Sequence, residues 1–408
     1  MLNRIWLSFF FIAFLVAGAQ AFSGNWAAVD AMQRSLFATS KLAAEIALGL
    51  IGLMAFWLGL FKVAEDAGLI RYFSRILTPL FRRLMPEVPA GHPAIGSVSM
   101  NLMANMLGLD NAATPLGLRA MADLQTLNPR PEVATNAQIF FLVLNCSSVT
   151  LIPVTIFLYR TQFGAASPAD VFLPILLATS ASTLAGMLVV MLVQRIRLND
   201  PVLLLWLGGF AVCGALFMSF LLSLSGPDLQ LFSSRLAGAA VLLIVLVFLL
   251  AGATQRIDAY ASFVQGAKEG FDTAIKIMPY LVAMLVAVAV LRESGALGMV
   301  LDGLRSLIAL GGWDTRWVDA MPVALMKPLS GSGARALMLE TMQHFGVDSF
   351  QARLATVVQG STETTFYVLT LYFGSVGVVK IRHALWCGLF ADLAGVIAAI
   401  AVCYWFYG

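Results

Sequence analysis

The chain has 408 residues, of which 60% are hydrophobic and 12% charged, with a mean hydropathy of +0.87. Soluble globular domains carry less apolar and more charged sequence, so these proportions exclude one and identify an integral membrane protein. A net charge of +3, scattered along the chain, gives no basic patch and argues against a nucleic-acid partner.

Arg4 precedes an apolar run over residues 5–18, and AGAQA at 17–21 resembles the cleavage site of a signal peptide. The preferred reading is an uncleaved first span over 2–22, with Arg4 holding the N-terminus in the cytoplasm. A second span is expected at 42–61, after an amphipathic segment at 32–41. Residues 68–84 follow, where Arg71, Arg75, Arg82 and Arg83 alternate with Leu, Ile and Phe. That pattern suits a helix lying at the cytoplasmic interface.

Residues 99–115, SMNLMANMLGLDNAATP, are too polar and too interrupted for an ordinary span. The apolar pieces flanking Asp110 and Asn111 are each about half a bilayer long, which predicts a helical hairpin dipping in from the cytoplasm. Spans are then expected at 137–159 and 171–193, the first carrying a polar knot at 145–150. Arg195 and Arg197 mark the cytoplasmic side.

Residues 201–224 and 236–253 form an antiparallel pair, and an amphipathic stretch at 263–276 leads into a span at 277–291. A second broken stretch, MKPLSGSGARALMLE at 326–340, precedes spans at 352–373 and 384–405. The expected fold is an all-α polytopic membrane protein with about nine transmembrane helices and two re-entrant helical hairpins. Cys146, Cys213, Cys387 and Cys403 sit in apolar runs without CxxC spacing, and His92, His344 and His383 are dispersed, so neither a disulfide frame nor a metal site is expected.

Four short runs recur in the same order. KVAEDAGLI at 62–70 answers LRESGALGM at 291–299, and DNAATPLGLRAM from 110 answers SGSGARALMLET from 330. NCSSVT at 145–150 answers QGSTET at 359–364, and TLAGMLVVMLV from 183 answers DLAGVIAAIAV from 392. Counting crossings gives the copies opposite orientations, the inverted-repeat plan of many secondary transporters.

NMLGLDNAATPLGLRAM, KPLSGSGARALMLE and VVQGSTETTFYVL together resemble a fusion of spore maturation proteins A and B, within the wider family carrying the nucleoside-recognition or Gate domain. On that resemblance residues 1–197 form an A-like half and 198–408 a B-like half, made of two linking spans and a second Gate-type repeat. The resemblance implies kinship with concentrative nucleoside transporters and with the membrane part of ferrous iron transport protein B. It also implies a bacterial inner membrane, and it supplies no substrate.

Candidate solute ligands follow from the broken stretches and polar knots. The first hairpin offers Asn101, Asn105, Asp110, Asn111 and Thr114, and half-helix ends there would present free N–H groups. The second offers Ser330, Ser332 and Arg335. Arg335 and Glu340 are costly at membrane depth and should face the protein interior. The knots add Asn145 and Ser147 from one half, and Gln359, Ser361, Thr362, Glu363 and Thr364 from the other. Glu363 is the leading candidate to bind solute or a coupling ion, with Asp392 second; a proton or sodium ion is the coupling species considered, and no other cofactor is expected.

Each residue also has a structural reading. Ser and Thr in spans bond the preceding turn, Asn111 could cap a half-helix, and Glu363 could pair with Arg335. No phosphate loop, HExxH helix or GxSxG elbow occurs, so enzyme chemistry has little support. The function expected is a secondary-type transporter of a small polar solute, nucleoside-like or anionic, working by alternating access in contact with membrane lipid. A homo-oligomer is compatible with the sequence. The alternative is a non-transporting scaffold or regulatory protein of envelope or spore maturation.

Overall fold

The computed structural model describes residues 2–89, 91–106, 110–147, 150–151, 153–196 and 201–408, with side chains at 2, 3, 73, 74, 110–112 and 203 outside that description. In chain order the helices are α1 (Leu2–Phe22), α2 (Ala27–Asp66), α3 (Leu69–Leu84), α4 (Pro93–Met106), α5 (Asp110–Gln125) and α6 (Asn136–Cys146). Then come α7 (Val154–Gln162), α8 (Phe172–Val193), α9 (Pro201–Leu222), α10 (Gly226–Thr254), α11 (Ala259–Glu293) and α12 (Ala296–Ala309). A 3₁₀ turn (Arg316–Ala320) leads to α13 (Met321–Met326), α14 (Gly331–Phe345), α15 (Phe350–Ser361), α16 (Thr365–Ser375) and α17 (Ala384–Tyr407). No strand occurs among the described residues; an isolated bridge joins Val133 to Lys380.

Seven of these helices, α1, α2, α8, α9, α10, α11 and α17, are long and apolar enough to cross a membrane. The other two expected spans are not continuous. The 137–159 run is split into α6 and α7, and the 352–373 run into α15 and α16. At the first break α6 closes with the Ser147 amide on the Val143 carbonyl, and Pro153 has no N–H to carry a helix forward. At the second, Thr362, Glu363 and Thr364 interrupt the helix, a run whose side chains compete for backbone hydrogen bonds.

A second correction concerns length. The amphipathic segments at 32–41 and 263–276 are not separate elements but the first parts of α2 and α11, which run 40 and 35 residues. At 1.5 Å per residue each is longer than the roughly 30 Å hydrocarbon core requires. Both end alike. Gly68 (φ 76°) and Gly295 (φ 81°) take the left-handed conformation that glycine adopts without a Cβ clash, and the chain turns at once into the amphipathic helices α3 and α12. These turns fall in the matched runs KVAEDAGLI and LRESGALGM.

The chain forms two compact units, and each takes segments from both halves of the sequence. Unit 1 comprises residues 1–59, 155–168 and 264–359. Its core packs Ala13 and Ala17 of α1, Met32 of α2, Val290 of α11 and Leu297 of α12. Trp6 Nε1 donates to the Ala283 carbonyl at 2.9 Å and Gln20 Nε2 to the Ser294 carbonyl at 3.0 Å, tying α1 along α11. Arg160, fully buried, donates to the carbonyls of Pro168 and Val347 and pairs with Asp348 at 3.0 Å. In this way one side chain satisfies two loop carbonyls that lie far apart in sequence.

Unit 2 comprises residues 60–154, 169–263 and 360–408. Here α8 and α17 pack along one another, α4 lies on α5 and α3 on α4. The glycines of the matched LAG runs set the close approaches. A Cβ on Gly186 would meet Ala391 at 3.1 Å, and one on Gly395 would meet Thr362 at 2.7 Å and Ser182 at 3.1 Å. Phe140, Phe141, Tyr372 and Phe373 fill the space between the short helices.

Candidate functional site

The polar residues of unit 2 collect where its helices stop. A capping box starts α6, the Thr135 side chain accepting from the Gln138 amide while Gln138 Oε1 accepts from the Thr135 amide. At the other end of α6, buried Asn145 donates to the Phe141 carbonyl at 3.0 Å and accepts from Asn105 Nδ2 at 2.9 Å. Asn101, also buried, donates to the Ala113 carbonyl at 2.7 Å and accepts a longer bond from Asn105. The two asparagines thus lock α4 to α5 and to α6.

The main chain of the first break is held from outside the helix. The Leu151 amide donates to the Met106 carbonyl at 2.9 Å, and Thr183 of α8 donates to the Ser147 carbonyl. Ser147 Oγ bonds back to the Val143 carbonyl at 2.9 Å. The second break closes directly on the first: the Glu363 amide donates to the Cys146 carbonyl, the last of α6, at 2.7 Å. Two interrupted helices therefore satisfy each other's free main-chain groups, the condition for broken backbone at membrane depth.

In the same unit, buried Asp392 of α17 accepts from Thr365 Oγ1 at 2.7 Å, and Ser182 of α8 donates to the Ala391 carbonyl at 2.9 Å. Ser361, Thr362 and Thr364 are buried around the break. Glu363 is exposed, and its carboxylate makes no hydrogen bond or ion pair among the described residues. The arrangement is one exposed carboxylate at a junction flanked by buried hydroxyls and amides, with a second, buried carboxylate on α17 bonded to Thr365.

Of the expected site residues, the structure brings Asn101, Asn105, Asn145, Ser147, Ser361, Thr362, Glu363, Thr364 and Asp392 together in unit 2. Thr114 is half-buried on α5, and the side chains of Asp110 and Asn111 lie outside the described residues. Ser330, Ser332, Arg335 and Gln359 belong to unit 1. There Ser330 caps α14, accepting from the Gly333 amide at 3.1 Å, and lies 3.3 Å from the Ser332 hydroxyl. The guanidinium of Arg335 sits 5.7 Å from the Tyr159 ring centroid, so its interior contact is aromatic.

Glu340, expected to face inward, is buried and held by Arg292, whose Nη2 donates to it at 2.7 Å. Thr183, Ser182 and the Arg292 pairing were not expected from sequence. Thr183 had a readable signal, since it aligns with Asp392 in the matched LAG runs.

The comparisons with known proteins accord with these features. The Gate family, described as nucleoside recognition, matches residues 47–162 and 274–379, more than half of the chain. Both breaks fall inside those segments. The chain is 44% identical over 170 residues to spore maturation protein B of Bacillus subtilis (strain 168), covering 42% of this chain and 94% of that protein. It is 38% identical over 189 residues to spore maturation protein A of the same organism, covering 46% of this chain and 93% of that protein. The chain therefore belongs to the Gate family of multi-pass membrane proteins and fits a fusion of the spore maturation A and B types.

Proposed function

We propose that the chain is a secondary-type transporter of a small polar solute, and that the junction of the two broken helices in unit 2 binds that solute. The observation that carries this reading is the hydrogen bond from the Glu363 amide to the Cys146 carbonyl, because it joins two helix breaks beside an available carboxylate. Discontinuous helices that meet in this way are how transporters build solute and ion sites near the middle of the bilayer. Glu363 binds the solute or its coupling ion, while Asp392, clamped by Thr365, is the second proton- or sodium-binding group. The Gate description favours a nucleoside-like or anionic solute rich in hydrogen-bonding groups.

In this reading α4 with α5 and α13 with α14 are re-entrant hairpins of two inverted repeats, and solute reaches the site by alternating access. The membrane is a bacterial inner membrane with the N-terminus in the cytoplasm, and the chain itself performs no covalent chemistry.

The test is a thermal-shift screen of purified chain in detergent against nucleosides, nucleotides, dicarboxylates and amino acids, with Glu363→Gln in parallel. A solute that stabilises the wild type by mass action but not the variant, and that accumulates in proteoliposomes, is the expected result. If no solute in a broad panel stabilises the wild type, and the variant instead loses assembly with an envelope partner, the chain is a scaffold.

A further inference from the structure

Unit 1 holds a cavity of about 410 Å³ that lies outside the broken-helix site. Its size falls within the range of roughly 300–1,000 Å³ usual for small-molecule sites. Three helices wall it: Arg34 and Thr39 come from α2, Arg292 and Glu293 from α11, and Glu340 and His344 from α14.

Two of the charges cancel. Glu340 is buried, and Arg292 grips both of its oxygens, Nη2 at 2.7 Å from Oε2 and Nε against Oε1. This forked pair is a neutral floor. Burial, and then the Arg292 guanidinium, hold the His344 imidazole below its ordinary value, so it is neutral at pH 7. One cation and one anion remain. Arg34 and Glu293 are both exposed, and neither has a hydrogen bond or ion pair among the described residues.

Their placement gives access to water. Arg34 precedes the apolar run at 42–61 of α2, and Glu293 follows the apolar run at 277–291 of α11. The end of α1 arrives at the same level, where Gln20 bonds the Ser294 carbonyl. The cavity thus sits where long apolar helices of unit 1 reach the membrane boundary.

We propose that this cavity binds a small zwitterionic solute of the amino-acid or short-peptide class, its carboxylate on Arg34 and its ammonium on Glu293. An anion alone would meet the unpaired Glu293 carboxylate, a cation alone would meet Arg34, and an uncharged solute would leave both desolvated without a partner. A zwitterion satisfies both at once with charge-assisted hydrogen bonds, and the Gln343 amide on the same wall adds a further donor and acceptor. The site stands apart from the transport reading, since no group of the Glu363 junction enters it.

The experiment is calorimetric titration of the full chain in detergent with alanine, glutamate, lysine and dialanine, each against N-acetyl-alanine, which lacks the ammonium, and alanine amide, which lacks the carboxylate. At least one zwitterion is expected to bind saturably, and each blocked analogue about tenfold or more weakly. Arg34→Gln and Glu293→Gln should each weaken that zwitterion by about tenfold. Both residues are exposed, so circular dichroism should show both variants folded, and if one is not, the other carries the test. Glu363→Gln should leave zwitterion affinity within about twofold. The proposal is overturned if no zwitterion binds, if a blocked analogue binds equally well, or if the cavity variants retain full affinity. It is overturned equally if Glu363→Gln abolishes binding, because the ligand then occupies the other site.

Discussion

The two units handle polar groups in opposite ways. Unit 1 buries charge and neutralises it: Arg292 on Glu340, Arg160 on Asp348 and Arg305 on Asp319 are all paired. Unit 2 instead breaks its backbone and repairs the break with neutral groups, using Asn105, Asn145, Thr183 and the Cys146 carbonyl. Paired charge holds a fixed shape, because separating the partners strands an ion in a medium that cannot solvate it. Neutral hydrogen bonds at a helix break cost far less to exchange, since interhelical bonds in membranes average only about 0.6 kcal/mol. On the proposed transport reading, unit 1 is suited to be the rigid part and unit 2 the part that exchanges protein partners for solute.

The largest effect should come from stranding a charge in unit 1. Glu340→Ala leaves the partly buried Arg292 without its carboxylate and should cost up to about 3–5 kcal/mol in urea or thermal unfolding. Restoring neutrality with Arg292→Met and Glu340→Leu together should recover most of that loss, and the double-mutant cycle measures the coupling. If Glu340→Ala is no worse than substitutions at the helix breaks, the contrast between the units fails.

Next comes the packing beneath the second break. Gly395→Val would drive side-chain atoms into Thr362 and Ser182, where a Cβ alone already comes within 2.7 Å of Thr362. Overpacking of this kind costs about 1–3 kcal/mol. It should shift solute affinity as well as melting temperature, because it displaces the residue before Glu363.

Much of the scaffold was legible because lipid imposes a simple rule on composition. All seven unbroken spans fall where apolar runs predict them, and the left-handed glycines 68 and 295 fall in runs already matched between the halves. The breaks were not legible as breaks, because apolar composition reads the same whether a helix continues or restarts. Pro153 and the polar knot at 145–150 were the local signs at the first. At the second there is no glycine or proline between 361 and 365, and the interruption is completed by the Cys146 carbonyl, more than 200 residues earlier. The partner of Glu340 was missed for the same reason. The guanidinium that reaches its carboxylate comes from α11, 48 residues earlier in the chain.

A smaller effect should follow from the repair of the first break. Asn105→Leu removes the donor to Asn145 Oδ1 at 2.9 Å and should cost about 0.6–1.7 kcal/mol. Calorimetric unfolding measures it, and Asn145→Leu combined with it should add little, since the shared bond is already gone. A larger cost, approaching that of Glu340→Ala, would mean that the junction is as rigid as unit 1 and unsuited to exchange.

The smallest effect on stability should be at the residue proposed to bind solute. The Glu363 carboxylate is exposed and unpaired among the described residues, so Glu363→Gln should change unfolding free energy by no more than about 0.5 kcal/mol. Its amide bond to Cys146 is made by the main chain and survives the substitution. Stability and binding are therefore expected to part at this position: near-wild-type melting without solute, and loss of the solute-induced rise in melting temperature. Glu363→Asp separates charge from reach, because it keeps the carboxylate but withdraws it by one methylene. Weak binding by Glu363→Asp with none by Glu363→Gln identifies the charge as the recognised feature. Equal binding by Glu363→Gln and wild type would instead move the solute contact to the buried hydroxyls and amides around it.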